Sequence, residues 1–176
     1  NLHIIVCVKL RRMGNGSHSA AFRPLVLDKA PQQLLGEHTA GGQEVMESFC
    51  KSYEGQFNVV VCQNDNEAFG AMTAMDNAGV SYGPNGDVIL ISFDACTAGL
   101  EDVKAEKITA DFECNPLAAP FVEEVIQQLQ AGEEPEKEVY MVEHWYGLED
   151  AAVDFEIDGE PQEITLVTDE VIEAQY

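Results

Sequence analysis

Asn64 and Asp94 are the side chains of this sequence best suited to grip a pair of neighbouring hydroxyls, and each follows a short apolar run, Val59 to Cys62 and Val88 to Ile91. An amide accepts with its oxygen and donates with its nitrogen. A carboxylate accepts from two hydroxyls, and charged acceptors of this kind are worth roughly 1.5–3 kcal/mol each. Both runs lead into helical patterns, so the unit reads strand, polar loop, helix, twice over, which is how a parallel sheet is wound. In open sheets of that kind ligands bind outside the carboxyl ends of the strands, where Asn64, Asp65 and Asp94 fall. The same residue types cap helices and start turns, so the residues alone leave both roles open.

The elements that must position these groups follow from periodicity. Leu2 to Leu10 is expected as a buried strand, and Gly14 to Ser17 as a loop opening a helix at Ser19 that Pro24 and Pro31 interrupt. Leu34 and Leu35 allow a short strand. Gly41 to Tyr53 is a helix with Val45, Met46, Phe49 and Tyr53 on one stripe, and Glu67 to Ala78 another, with Ala68, Met72 and Met75 inward and Gly79 as its cap. Pro84-Asn85-Gly86 is a turn before a strand from Asp87 to Ser92; Ala98 to Glu106 is a short helix and Ile108 to Phe112 a strand. Leu117 to Gly132 is strongly amphipathic, with Phe121, Val122, Val125, Ile126 and Leu129 on one face that some surface must cover. Beyond Pro135, Val139 to Val142 reads as a strand, Val153 to Ile157 and Ile164 to Val167 as a hairpin about Asp158-Gly159, and Thr168 as the cap of a last helical turn.

A chain of 176 residues with 45% hydrophobic content buries one good core. Nine Lys and Arg stand against 32 Asp and Glu, a formal charge of -23 that repels phosphate backbones and anionic lipid and so argues against nucleic-acid or membrane-surface partners. From Phe121 to Tyr176 there are 17 acids and one base, Lys137, read as a solvated acidic surface; no EF-hand spacing for calcium occurs. Cys7, Cys50, Cys62, Cys96 and Cys114 are widely spaced, with no C-x-x-C pair and no histidine cluster, so no metal and no cofactor is expected. The opening apolar run is too short for a signal peptide or membrane span, and Asn1 in place of Met is expected to reflect a processed or cut start. G-x-S-x-G, Walker, H-E-x-x-H and dinucleotide fingerprints are absent, and His3, His18, His38 and His144 are scattered, so no enzyme is expected. Glu143-His144-Trp145 reads as a strand-end aromatic with polar neighbours, not as an acid-base pair, and Phe69 and Phe93 read as core.

The stretch Val59-Val60-Val61-Cys62-Gln63-Asn64-Asp65, with Ala68-Phe69-Gly70-Ala71 and Ile91-Ser92-Phe93-Asp94 after it, resembles the periplasmic sugar-binding proteins of ABC importers, and its galactofuranose-type branch most. Gly42-Gln43-Glu44-Val45-Met46, Phe112-Glu113-Cys114-Asn115-Pro116 and Val167-Thr168-Asp169-Glu170-Val171-Ile172 extend the likeness over nearly all of residues 40–176. The resemblance implies an α/β fold: an open, mostly parallel sheet with helices on both faces, one lobe of a two-lobe periplasmic-binding-protein fold, with a C-terminal hairpin-like extension. Residues 1–115 would be the second lobe, 116–142 a crossing segment whose helix and strand normally belong to the first lobe, and 143–176 the return, hairpin and short helix. The first lobe and the export signal would be missing.

The resemblance makes Asn64 and Asp94 contacts to a sugar and Asp65 a cap, and it sets Cys114 where related proteins place a polar cleft residue, a part Glu113 or Asn115 could take. Ser19-Ala20-Ala21-Phe22-Arg23 resembles a stretch ending in a cleft arginine, so Arg23 joins the ligand-binding set, although Pro24 follows directly and the spacing is off by about one residue. The acidic-aromatic pair usual between Thr39 and Ala40 is absent. The implied function is capture of a monosaccharide of the ribose, galactose or galactofuranose class, without chemistry, for the membrane permease of an ABC importer. The implied location is the periplasm or the cell surface, there as an anchored lipoprotein. The alternatives are the effector-binding core of a LacI-type regulator, against which the acidity and the lack of a basic helix-turn-helix argue, and a truncated fragment that binds nothing. The Phe121/Val125/Leu129 face would, in a chain that ends here, be buried against another copy.

Overall fold

The structure is a computed structural model that describes residues 5–8, 24–25, 38–148, 155–157 and 160–175. In chain order the elements are β1 (Ile5–Val8), β2 (Pro24–Leu25), α1 (His38–Ser52), β3 (Val59–Cys62), α2 (Asp65–Ala78), β4 (Ile89–Asp94) and α3 (Thr97–Lys104). They continue with β5 (Ala110–Glu113), α4 (Ala119–Ala131), β6 (Trp145–Gly147), β7 (Phe155–Ile157), β8 (Glu160–Gln162), β9 (Thr165–Leu166) and α5 (Asp169–Ala174).

Three β-branched residues in a row give Val59 to Val61 a preference for extended backbone, and the strand they form lies third in a seven-stranded sheet of order β2-β1-β3-β4-β5-β6-β9. The centre, β3-β4-β5, is parallel, as the strand, loop, helix order requires, with Val61 opposite Ile91 and Ile91 opposite Ala110. On the flanks β1 pairs antiparallel with β3 and β2, while β6 pairs antiparallel with β5 and parallel with β9. The direction of β6 follows from the path: the chain leaves the sheet at the end of β5, runs out through α4 and re-enters at the same rim.

Val60, Cys62, Leu90 and Ile108 are fully buried with Met46, Met75, Leu100 and Val103, so α1, α2 and α3 close over one apolar layer. Each large side chain so buried contributes about 1.5–3 kcal/mol. α1 and α2 meet backbone to backbone: a Cβ on Gly70 would lie 2.0 Å from the Thr39 carbonyl oxygen, so only glycine permits the crossing. Gly79, at φ 69°, ends α2 in the left-handed conformation expected of it.

The elements from residue 38 to 113 lie within a few residues of their expected positions. Asp87 is an exception, because its carboxylate and N–H are both used by the Ser81 hydroxyl, at 2.6 and 3.0 Å, which holds it in the turn before β4. The strand expected at Val139 to Val142 does not form: among the described residues no neighbouring strand pairs with it, and Val139, Tyr140 and Val142 are exposed. The hairpin is present, but its second arm is Glu160–Gln162, and Thr165–Leu166 instead joins the main sheet beside β6. Phe69 packs against the core as expected, whereas Phe93, 37% exposed, sits on the opposite side of the sheet from Leu90, stacked on Phe112 and through it on Trp145. The apolar face of α4 is uncovered among the described residues, with Val122 54% and Leu129 58% exposed. Within the span of the helix expected from Ser19, Pro24 and Leu25 instead form strand β2 beside β1, proline being unable to continue a helix; the rest of that span and the strand expected at Leu34 and Leu35 lie outside the described residues.

Candidate functional site

Val61 and Ile91 are direct partners on adjacent parallel strands, and Asn64 and Asp94 each stand three residues beyond them. Both therefore reach the same carboxyl-end rim, Asn64 just past the end of β3 and Asp94 as the last residue of β4. Asn64 is the cap of α2: its backbone is extended, and Oδ1 accepts from the Glu67 N–H at 2.8 Å. Glu67 Oε2 accepts from the Gln63 N–H at 3.1 Å in return, a reciprocal arrangement close to a capping box. The cap fixes the side chain's oxygen and leaves the amide nitrogen as the group that can face a ligand.

Asp94 closes β4 with φ 103°, and Ala95 follows at φ 53°. Side-chain-bearing residues in that region cost about 1–3 kcal/mol each and persist only where the surroundings hold them, which is a mark of functional sites. What holds them is a set of bonds from below. The Ala95 N–H donates to Asp111 Oδ1 at 3.2 Å, the Cys96 N–H to Asp65 Oδ2 at 2.9 Å, and the Ala95 carbonyl accepts from Gln175 Nε2 at 2.9 Å. Asp65 also accepts from Ser92 Oγ at 2.6 Å. Asp65 is therefore no cap; buried at 1% exposure, it clamps the turn that carries Asp94.

Cys114 enters the same rim, its N–H donating to the Asp94 carbonyl at 3.4 Å. Partial burial, then the negative charges of Asp94 and Glu143, push its thiol above the ordinary range. Glu113 is already engaged as an acceptor. Its carboxylate accepts from the His144 N–H at 2.9 Å and from Nδ1–H at 2.8 Å, tying the strand that leaves the sheet to the one that returns. Asn115 is likewise occupied, with Oδ1 accepting from the Leu117 N–H at 2.8 Å.

The structure thus brings Asn64, Asp94 and Cys114 to one rim, and Arg23 lies outside the described residues. Asp111, Ser92, Gly99 and Gln175 were not anticipated. An acid inside the expected buried strand Ile108 to Phe112 was a usable signal for Asp111, since carboxylates are rarely fully buried without a partner. Gln175 carries no local signal, because its partner is 80 residues distant in sequence. Among the described residues no group of three or more His, Cys, Asp and Glu is placed to hold a metal ion, and no helix is long and apolar enough to cross a membrane. An amide, a carboxylate and a thiol at one rim can form hydrogen bonds to hydroxyls.

No protein-family model matches the chain, and no curated protein matches it in sequence. Solved structures do. A Mycobacterium smegmatis protein in complex with β-D-fucofuranose is 33% identical over 64% of this chain and 36% of its own length, with a TM-score of 0.57. A galactofuranose binding protein is 27% identical over 64% of this chain and 38% of its own, with a TM-score of 0.57. The periplasmic binding protein component of the arabinose ABC transporter from Shewanella sp. ANA-3, bound to α- and β-L-arabinofuranose, is 25% identical over 60% of this chain and 34% of its own, with a TM-score of 0.54. The chain spans little more than a third of the length of these proteins.

Proposed function

We propose that this chain, whose α/β fold is that of one lobe of a periplasmic sugar-binding protein, supplies one wall of a monosaccharide site and hands its ligand to the permease of an ABC importer. The observation that carries the reading is the placement of Asn64 and Asp94 three residues beyond the paired Val61 and Ile91, at one strand-end rim, with the Asp94 turn held in a costly backbone conformation. In this reading Asn64 donates to one hydroxyl, Asp94 accepts from one or two, Cys114 borders the ring and Arg23 completes the contacts; no bond is made or broken. Residues 1–115 act as the second lobe, residues 116–142 as the crossing segment and residues 143–176 as the return. The protein works in the periplasm or at the outer cell surface. The sugar is of the furanose class, pentose or galactose-like, because furanoses are the bound ligands in two similar structures with a TM-score above 0.5, at 33% and 25% identity.

Titration calorimetry with ribose, arabinose, galactose and fucose, run on the chain and on Asp94→Ala, tests this. Heat with at least one sugar, weakened by about 10-fold or more in the variant, is expected, since a charged hydrogen bond is worth roughly 1.5–3 kcal/mol. Heat unchanged by the substitution would remove Asp94 from the site, and no heat with any sugar would favour a fragment that does not bind.

The exposed α4 stripe of Phe121, Val122 and Leu129 is, in the same reading, the surface on which a first lobe or a second copy of the chain rests.

A further inference from the structure

Two acids form the floor beneath the Asp94 turn, Asp65 at 1% exposure and Asp111 at 0%. Asp65 spends both oxygens as acceptors, from Ser92 Oγ and the Cys96 N–H, and Asp111 spends Oδ1 on the Ala95 N–H. The second Asp111 oxygen, Oδ2, is buried, and no N–H or O–H donor among the described residues meets it. A Cβ on Gly99 would lie 2.5 Å from Asp65 Oδ2 and 2.6 Å from Asp111 Oδ2, so the two oxygens crowd one point. Among the described residues, none of the ion pairs to Lys, Arg or His involves either acid. Two ionised carboxylates cannot rest so in a dry site, and one proton between them turns the orphan oxygen into half of a hydrogen bond.

We propose that Asp65 and Asp111 share one proton and that this protonated pair is the positioning device of the rim, fixing Ala95 and Cys96 so that Asp94 keeps its left-handed backbone. Asp94 faces the pair from the end of β4, Cys96 from the start of α3 and Tyr146 from β6. Burial, and then the charge of Asp65, push Asp111 up to about 9. Burial first, and then Asp65, push the Cys96 thiol up to about 11; burial and then Glu113 raise the Tyr146 phenol above its ordinary range. Of these three, Asp111 is the first to change charge as pH rises. Its folded-state value stands above the unfolded one, so the native chain holds a proton that the unfolded chain has lost. The contribution to stability therefore declines between the unfolded value near 4 and the folded value near 9, by about tenfold in the unfolding constant per pH unit.

The test uses the full chain and Asp111→Asn, which keeps an oxygen for the Ala95 N–H and offers Nδ2–H toward Asp65 with nothing to titrate. Infrared spectra at pH 7 are expected to show a protonated-carboxyl band in the parent that the variant lacks. Urea unfolding from pH 7 to 9 is expected to lower parent stability relative to the variant by about tenfold in equilibrium constant per pH unit. Amide exchange at Ala95 and Cys96, followed by NMR and corrected for intrinsic base catalysis, should accelerate above about pH 9 in the parent alone. Equal pH slopes in the two proteins, or no such band in the parent, would overturn the proposal. The infrared measurement on the parent stands even where the variant does not fold. None of these readouts needs a sugar, so failure here is distinct from failure of the binding reading.

Discussion

Glu113 and His144 hold each other by three hydrogen bonds. The Glu113 carboxylate accepts from the His144 N–H and Nδ1–H, and the Glu113 N–H donates to the His144 carbonyl at 2.8 Å. The pair fastens the segment entering α4 to the one returning into β6, beside the rim that carries Asp94 and Cys114. Glu113→Ala removes both carboxylate bonds and leaves a part-buried N–H without its acceptor, a loss of about 1–3 kcal/mol in urea unfolding. His144→Ala retains the two main-chain bonds and should cost less, about 0.5–1.5 kcal/mol. Equal losses from the two variants would place the weight on the ring contact instead.

Asn64 carries a cap and, in the proposed function, a ligand contact, and two substitutions separate these. Asn64→Ala should lower stability by about 1 kcal/mol, the usual cost of a lost cap, and weaken sugar binding as well. Asn64→Asp keeps an oxygen for the Glu67 N–H, so stability should stay within about 0.5 kcal/mol of the parent while the donor to the hydroxyl is lost. Thermal unfolding and calorimetry on both variants give the comparison. Sugar binding retained in the aspartate variant would reduce Asn64 to a cap alone.

Ala95 sits at φ 53°, where a Cβ costs about 1–2 kcal/mol and glycine costs nothing steric. Glycine also has more freedom to lose on folding, so Ala95→Gly should stabilise the chain by a net amount of about 0.5–1 kcal/mol, seen as a higher urea midpoint. Destabilisation would mean that the methyl, fully buried in the core, contributes more packing than its backbone strain removes.

The strand ends were legible because Val59 to Cys62 is a short β-branched run closed by polar residues, and Gly79 follows a helical pattern as its left-handed stop. What lay beyond local pattern was the partner of each polar group. Asp65 looks like a cap in sequence because it opens a helix, yet Ser92 and Cys96 claim its oxygens from the next strand and helix start. Val139 to Val142 shows the converse, since strand composition counts only where another strand offers hydrogen bonds, and none among the described residues pairs with it. Asp111 and Gln175 support the Asp94 turn from elements distant in sequence, and no periodicity reports such a contact.

Cys114 reports on the charge at the rim. Its side chain is exposed, and its thiol is held above the ordinary range by partial burial, then by Asp94 and Glu143. The thiolate is the reacting form, so alkylation of Cys114, read by peptide mass mapping, should follow a pH curve whose midpoint lies above the value of about 8.5 for a free cysteine. Asp94→Asn removes one of the two negative charges, so its midpoint should fall and its rate at pH 8 should rise. A sugar seated on Asp94 should slow the reaction in the parent by covering the sulfur. If the midpoint stays unmoved by Asp94→Asn, the two residues do not share a local field, and the rim that joins them does not exist as a site.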